Sequence, residues 1–212
     1  MMNLVRRLAG LFILAIAVPG FAGTYEDMIV AIRNDNTEKV IELVERGMDV
    51  NSADQHGTTL AIYASRAGNE KLLRYLLAHR ANINLKNHYG DNAIALASLE
   101  GHLACVKLLI EAGAEVNPLP GIWLPLNYAA FNGHRDVAQY LLEKGAKVDA
   151  VAPNGMTSLM IAARNGHTEL ARLLLQNHAA IDVKTPDGNN ALDIAKSGNN
   201  QDIVKLLEAG YQ

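Results

Sequence analysis

Three histidines, His102, His134 and His167, and a single cysteine, Cys105, are the residues of this 212-residue chain whose chemistry would matter most if they acted together. Imidazole is the commonest metal ligand and a ready general base, and a thiol becomes a nucleophile once ionised. Spacing argues against both uses. The histidines each follow a glycine and recur about every 33 residues, so they occupy one place in successive like units. Equivalent places on stacked helices lie about 8–10 Å apart, whereas zinc ligands converge to about 2 Å. One ring per unit points instead to hydrogen bonds with the backbone between units. Cys105 holds the place that Leu72, Val137, Leu170 and Ile203 hold elsewhere, which predicts a buried packing residue with an unactivated thiol. The sequence contains no H-E-x-x-H, Gly-rich phosphate loop, G-x-S-x-G or paired cysteines at zinc spacing. No catalytic residue, metal or cofactor is expected.

The elements that must position these residues follow from the same period. Gly68-Asn69, Gly101-His102, Gly133-His134 and Gly166-His167 share it. So do Asp49-Val50-Asn51, Asn82-Ile83-Asn84, Glu115-Val116-Asn117, Lys147-Val148-Asp149 and Ala180-Ile181-Asp182. A period between about 20 and about 50 residues means a stack of similar units. Each unit carries two helical patterns. Leu72/Tyr75/Leu76, Val137/Tyr140/Leu141 and Leu170/Leu173/Leu174 are i, i+3, i+4 stripes of a second helix. The first helix is short and Ala-rich, as in Leu159 to Arg164, which lets neighbouring helices approach closely.

Composition agrees with a stack held by packing. Half of the residues are apolar, 19% are charged, and a lone cysteine cannot form an internal bridge. Disorder, collagen-like fibres and disulfide-stapled scaffolds are thereby excluded. The formal charge is −3; residues 1–22 contain Arg6, Arg7 and no acid, leaving 17 basic against 22 acidic residues. A mildly acidic chain lacks the cationic excess that neutralises phosphates, so nucleic acid is not expected as a partner.

Arg6 and Arg7 precede an apolar run from Leu8 to Val18, followed by Pro19-Gly20-Phe21-Ala22. That order is the one found in a secretory signal peptide, with cleavage expected after Ala22. The run is too short for the roughly 20 residues of a membrane-spanning helix, so no stable membrane insertion is expected. No Asn begins an N-x-Ser/Thr sequon, which favours a bacterial periplasm or secretion over a eukaryotic route.

Residues 155 to 167, Gly-Met-Thr-Ser-Leu-Met-Ile-Ala-Ala-Arg-Asn-Gly-His, resemble the G-x-T-P-L-H-x-A-A-x-x-G-H string of ankyrin repeats, with Ser158 for Pro and Met160 for His. Gly90 to His102 follows more loosely, with Asn92, Ala93 and Ala95 at the Thr, Pro and His places. The resemblance implies an all-α ankyrin-repeat solenoid over residues 23–212, built of about six helix–turn–helix units with a finger-like turn at each junction. The expected units are 24–51, 52–84, 85–117, 118–149, 150–182 and 183–212, the first and last being caps with polar outer faces. Where the family turns on Gly, this chain has Arg80 and His178, so strained positive φ is expected at both.

Family resemblance also implies where a partner would touch: the finger tips and the residues just before each Gly-His. These include Gln55, His56, Arg66, His88, Tyr89, Leu99, Glu100, Phe131, Asn132, Asn154, Met156 and Arg164. In the fourth unit Pro118-Leu-Pro-Gly-Ile-Trp-Leu-Pro125 replaces the usual finger, adding Ile122 and Trp123. Trp123 could equally fill a gap left by the altered turn. The expected function is a monomeric, non-enzymatic module of the bacterial periplasm that binds another protein, as accessory or scaffold to an envelope protein. Small exported bacterial ankyrin proteins are sometimes linked to oxidative-stress defence or to neutralising a secreted toxin. An immunity protein that binds and inhibits a toxin or hydrolase is thus the alternative, and nothing in these residues chooses between the two.

Overall fold

Twelve helices, and no strand beyond an isolated bridge between Ala53 and Thr59, make up the described part of the computed structural model, residues 22–118 and 122–209. Apart from Ala22, the expected signal segment lies outside the described residues. The helices pair in sequence: α1 (Ala22–Arg33) with α2 (Thr37–Glu45), α3 (Leu60–Arg66) with α4 (Glu70–Ala78), and α5 (Ala93–Glu100) with α6 (Leu103–Glu111). Then come α7 (Pro125–Asn132) with α8 (Arg135–Glu143), α9 (Ser158–Asn165) with α10 (Thr168–Gln176), and α11 (Ala191–Ser197) with α12 (Gln201–Glu208). Among the described residues no helix is long and apolar enough to cross a membrane.

Two layers follow from composition. The inner helices α3, α5, α7, α9 and α11 stack on one another, and the outer helices α2, α4, α6, α8, α10 and α12 form the second layer. Small residues such as Ala93, Ala97, Ala129, Ala130, Ala162 and Ala163 bury the inner helices on most sides by letting neighbours close in. The outer helices are amphipathic: Leu72, Leu73 and Leu76, or Val137, Ala138 and Leu141, face inward while Lys71, Arg74 and Gln139 stay outside. One helix pair cannot cover its own apolar stripe, so each pair is stable only against the next.

Caps set the starts of the inner helices. Thr59, Asn92, Thr157 and Asn190 each accept the backbone N–H of the third residue on, at 3.3, 3.1, 3.3 and 3.0 Å. The fourth unit departs from this. Leu124 stands at the cap, Pro125 follows it without an N–H, and Asn127 Oδ1 instead accepts from the Leu124 N–H at 3.1 Å. Arg80 and His178 do adopt positive φ, +61° and +62°, as do Asp35 and Asn199.

Candidate functional site

The histidine places are joints between units. His102, His134 and His167 stand where a cap would be, yet none caps its own helix. Each ring reaches back to the preceding unit, where Nε2–H donates to the carbonyl of Arg66, Leu99 and Phe131 at 3.1, 2.9 and 3.0 Å. A carbonyl only accepts, so the proton sits on Nε2. Asn132 and Asn165 donate from their amides to the Leu99 and Phe131 carbonyls, both at 2.7 Å, and Asn200 donates to Ala163 and Arg164. These are end-of-helix carbonyls, which lack a partner within their own helix. The rings also lie against the turn glycines: a Cβ on Gly68 or Gly133 would meet the next unit's Nδ1 at 2.6 Å.

A second set of joints uses the Asn or Asp that closes three of the five period marks. Asn51, Asn117 and Asp149 accept the backbone N–H of Asn82, Lys147 and Ala180 at 2.7, 2.9 and 2.9 Å. Sequence reasoning missed Asn132, Asn165 and this set as joints, although their recurrence from unit to unit was the signal available.

Short acceptors shape the fingers. Asp54 takes N–H bonds from His56 and Thr58, both at 2.8 Å, and the Tyr63 hydroxyl at 2.8 Å. Burial pushes its carboxyl up, but these bonds outweigh it and hold the group below the usual carboxylate range. Asn87 accepts likewise from Tyr89 and Asp91, both at 2.9 Å. Adjacent fingers are tied where the His88 N–H donates to the His56 carbonyl at 2.8 Å.

This framework holds one face of the inner helices and the fingers in fixed register. His56, Arg66, His88, Tyr89, Phe131 and Arg164 are exposed on it, Tyr89 by 73% and Phe131 by 39%. Leu99 and Ile122 are half-buried. Met156 is a correction: it is only 7% exposed and belongs to the core. The fifth finger closes with the Ala152 N–H donating to the Met156 carbonyl at 2.9 Å, and Met156 sits on the inward leg of that turn. Asn132 is exposed, but its amide is committed to the Leu99 carbonyl.

The fourth unit breaks the row of fingers. Along the sequence the closing Asn or Asp is followed by a glycine after six steps in the other units (Asn84 to Gly90, Asp149 to Gly155) but after four in this one, Asn117 to Gly121. One residue is added back before the cap, so this unit is one shorter than its neighbours. Trp123, in the added stretch, is half-buried: its ring lies 5.4 Å from Tyr128 and meets Phe131 edge-on at 6.0 Å. Ile122 lies beside Gly90 of the preceding finger. The Tyr128 hydroxyl donates to Asp91 Oδ1 in that finger, and burial first, then Asp91, pushes the hydroxyl well above the usual tyrosine range. The result is an aromatic cluster at the middle of the face.

Cys105 lies on the buried stripe of α6, 1% exposed, and burial pushes its thiol up to about 11. Among the described residues no group of three or more His, Cys, Asp or Glu could hold a metal ion.

A family model described as ankyrin repeats (3 copies) matches residues 28–120, 82–152 and 126–212. Curated relatives match over parts of their length. The nuclear factor NF-kappa-B p105 subunit of Gallus gallus is 35% identical over 138 residues, 62% of this chain and 14% of the relative. A putative ankyrin repeat protein of Rickettsia bellii is 30% identical over 140 residues, 61% of this chain and 39% of the relative. The glycerophosphocholine phosphodiesterase GDE1 of Candida albicans is 34% identical over 126 residues, 57% of this chain and 11% of the relative. This chain thus spans from 11% to 39% of the length of these relatives. Such repeats are in general non-enzymatic modules that bind other proteins, and the family match reaches from α1 to the end of the stack. The repeated strings, the paired helices and the joints between them are accounted for together: the chain belongs to the ankyrin repeat family.

Proposed function

We propose that this chain is a monomeric, non-enzymatic binding module of the bacterial periplasm, exported by residues 1–22 and acting as accessory or scaffold to another envelope protein. The observation that carries the binding reading is Tyr89, 73% exposed, on a finger fixed by Asn87 and by the backbone tie to His56. A large side chain held out in water on a rigid support loses little entropy when a partner covers it. The aromatic cluster of Trp123, Tyr128 and Phe131 extends the same face. Export rests on the order of Arg6-Arg7, the apolar run and Ala22.

Two measurements test this. The full chain with a carboxyl-terminal tag, expressed in a bacterium with a periplasm, is recovered from the periplasmic fraction and its mass begins at residue 23. Recovery of the uncut chain from the cytosol overturns export. Cross-linked capture from periplasmic extract enriches a partner that is lost with Tyr89→Glu and Phe131→Glu together. Capture unchanged by that pair overturns the assignment of the face.

A further inference from the structure

One position recurs along the face, the residue two before each left-handed turn residue, and the joints align its middle four occupants. Its occupants are Arg33, Arg66, Leu99, Phe131, Arg164 and Ser197. That the middle four form a row follows from the hydrogen bonds: the carbonyls of Arg66, Leu99, Phe131 and Arg164 each receive the side chain of the next unit. The row has an order. Two apolar residues, Leu99 and Phe131, stand at its centre, Phe131 edge-on to the Trp123 ring, with arginines on both sides and no acid at any of the six places. This happens in a chain whose acids outnumber its bases, 22 to 19. Arg66 shares Glu100 of the next unit at 3.5 Å, with 63% of its own side chain exposed, while Arg33 and Arg164 have no ion pair among the described residues. Arg33 and Arg164 are therefore free to take a partner's carboxylate, and a carboxylate that reaches the exposed side of Arg66 shares it with Glu100.

We infer that the face takes a partner segment in which two apolar side chains are flanked on both sides by carboxylates. This inference rests on the protein-binding reading above. The apolar pair covers Leu99, Phe131 and the outer edge of Trp123, and the carboxylates meet Arg66 on one side and Arg164 on the other. Steps of about 8–10 Å per unit put Arg66 and Arg164 about 25–30 Å apart. An extended segment rising about 3.3 Å per residue spans that with eight or nine residues, roughly three per unit. Guanidinium groups suit the planar carboxylate better than a lysine would, because they donate two parallel bonds.

Trp123 is the only tryptophan, so its emission reports occupancy of the centre directly. Three synthetic peptides of equal length serve as probes: Leu and Phe three apart in the middle with two Glu at each end, the same with Lys for Glu, and the Glu peptide with Ser for Leu and Phe. The remaining positions are Gly and Ser. The first is expected to shift Trp123 emission saturably, with the Lys peptide at least tenfold weaker. In Arg164→Glu the preference narrows or reverses, with the Glu peptide weakened at least tenfold; Arg164 is exposed, and an unchanged thermal melt confirms the fold. Equal affinity for the Glu and Lys peptides, or indifference to Arg164→Glu, overturns the inference while leaving an apolar docking face standing. Silence with all three overturns it too, and the capture experiment then decides the binding reading separately.

Discussion

His167 lies with its imidazole against Gly133 and donates from Nε2 to the carbonyl of Phe131, two residues before that glycine, at 3.0 Å. Packing and hydrogen bonding are thus one device at this joint. Gly133 has φ +76°, and an added Cβ would meet the ring at 2.6 Å. Gly133→Ala is expected to cost about 2–3 kcal/mol, from backbone strain and displacement of the ring together. His167→Ala, which removes the ring and its hydrogen bond but leaves the Phe131 carbonyl its bond from the Asn165 amide, should cost about 1 kcal/mol. Urea melts of both variants check the order; a larger loss in His167→Ala would show that the glycine is not the constrained partner.

Arg80→Gly and His178→Gly should each raise Tm. Both side chains are exposed, and both residues hold left-handed φ, where a Cβ costs on the order of 1 kcal/mol. Scanning calorimetry is the check, and a fall in Tm in both would contradict the strain assignment.

Ser65 and Ser98 bury hydroxyls that have no hydrogen-bond partner among the described residues. Equivalent places hold Ala130 and Ala163, both fully buried. Ser98→Ala is expected to gain about 1 kcal/mol, because an unpaired polar group leaves the core and no packing volume is lost. Chemical denaturation reads the sign.

Cys105 gives a pH dependence with a defined direction. Its thiol is raised from an ordinary value of 9.0 to about 11 by burial, so between these values the folded chain holds a proton that the unfolded chain has released. Stability is full below pH 9 and falls as pH rises toward 11. Cys105→Val, which copies Val137 at the equivalent place, should show less of this alkaline loss. At mildly alkaline pH, iodoacetamide should label the native thiol far more slowly than the denatured one.

Trp123→Ala is expected to cost about 2 kcal/mol, since loss of the half-buried indole leaves Tyr128 and Phe131 without a ring to pack on. A melt unchanged by the substitution would assign the residue to the surface alone.

The helix pairs, the burial of Cys105, the backbone role of the histidines and the positive φ of Arg80 and His178 were legible because repetition compares each residue with its own counterparts. Met156 was not. It directly follows an exposed finger turn, and neither polarity nor spacing tells the outward leg of a turn from the inward one. Tyr128 reaching Asp91 has no counterpart in the next unit to announce it, and the shortened fourth finger disturbs the very alignment that made other positions readable. The segment before Ala22 has no internal copy, so only its charge and apolarity can be read.

The ring-on-glycine joint asks nothing of a unit except a histidine at its start and a glycine at its turn. A duplicate of residues 150–182 inserted after position 182 would carry both, meeting Gly166 with a new copy of His167 and offering its own glycine to Asn200. The architecture can therefore be extended one rung at a time through the same joint, and the reach of the molecule is set by how many copies the gene carries rather than by any closure of the fold.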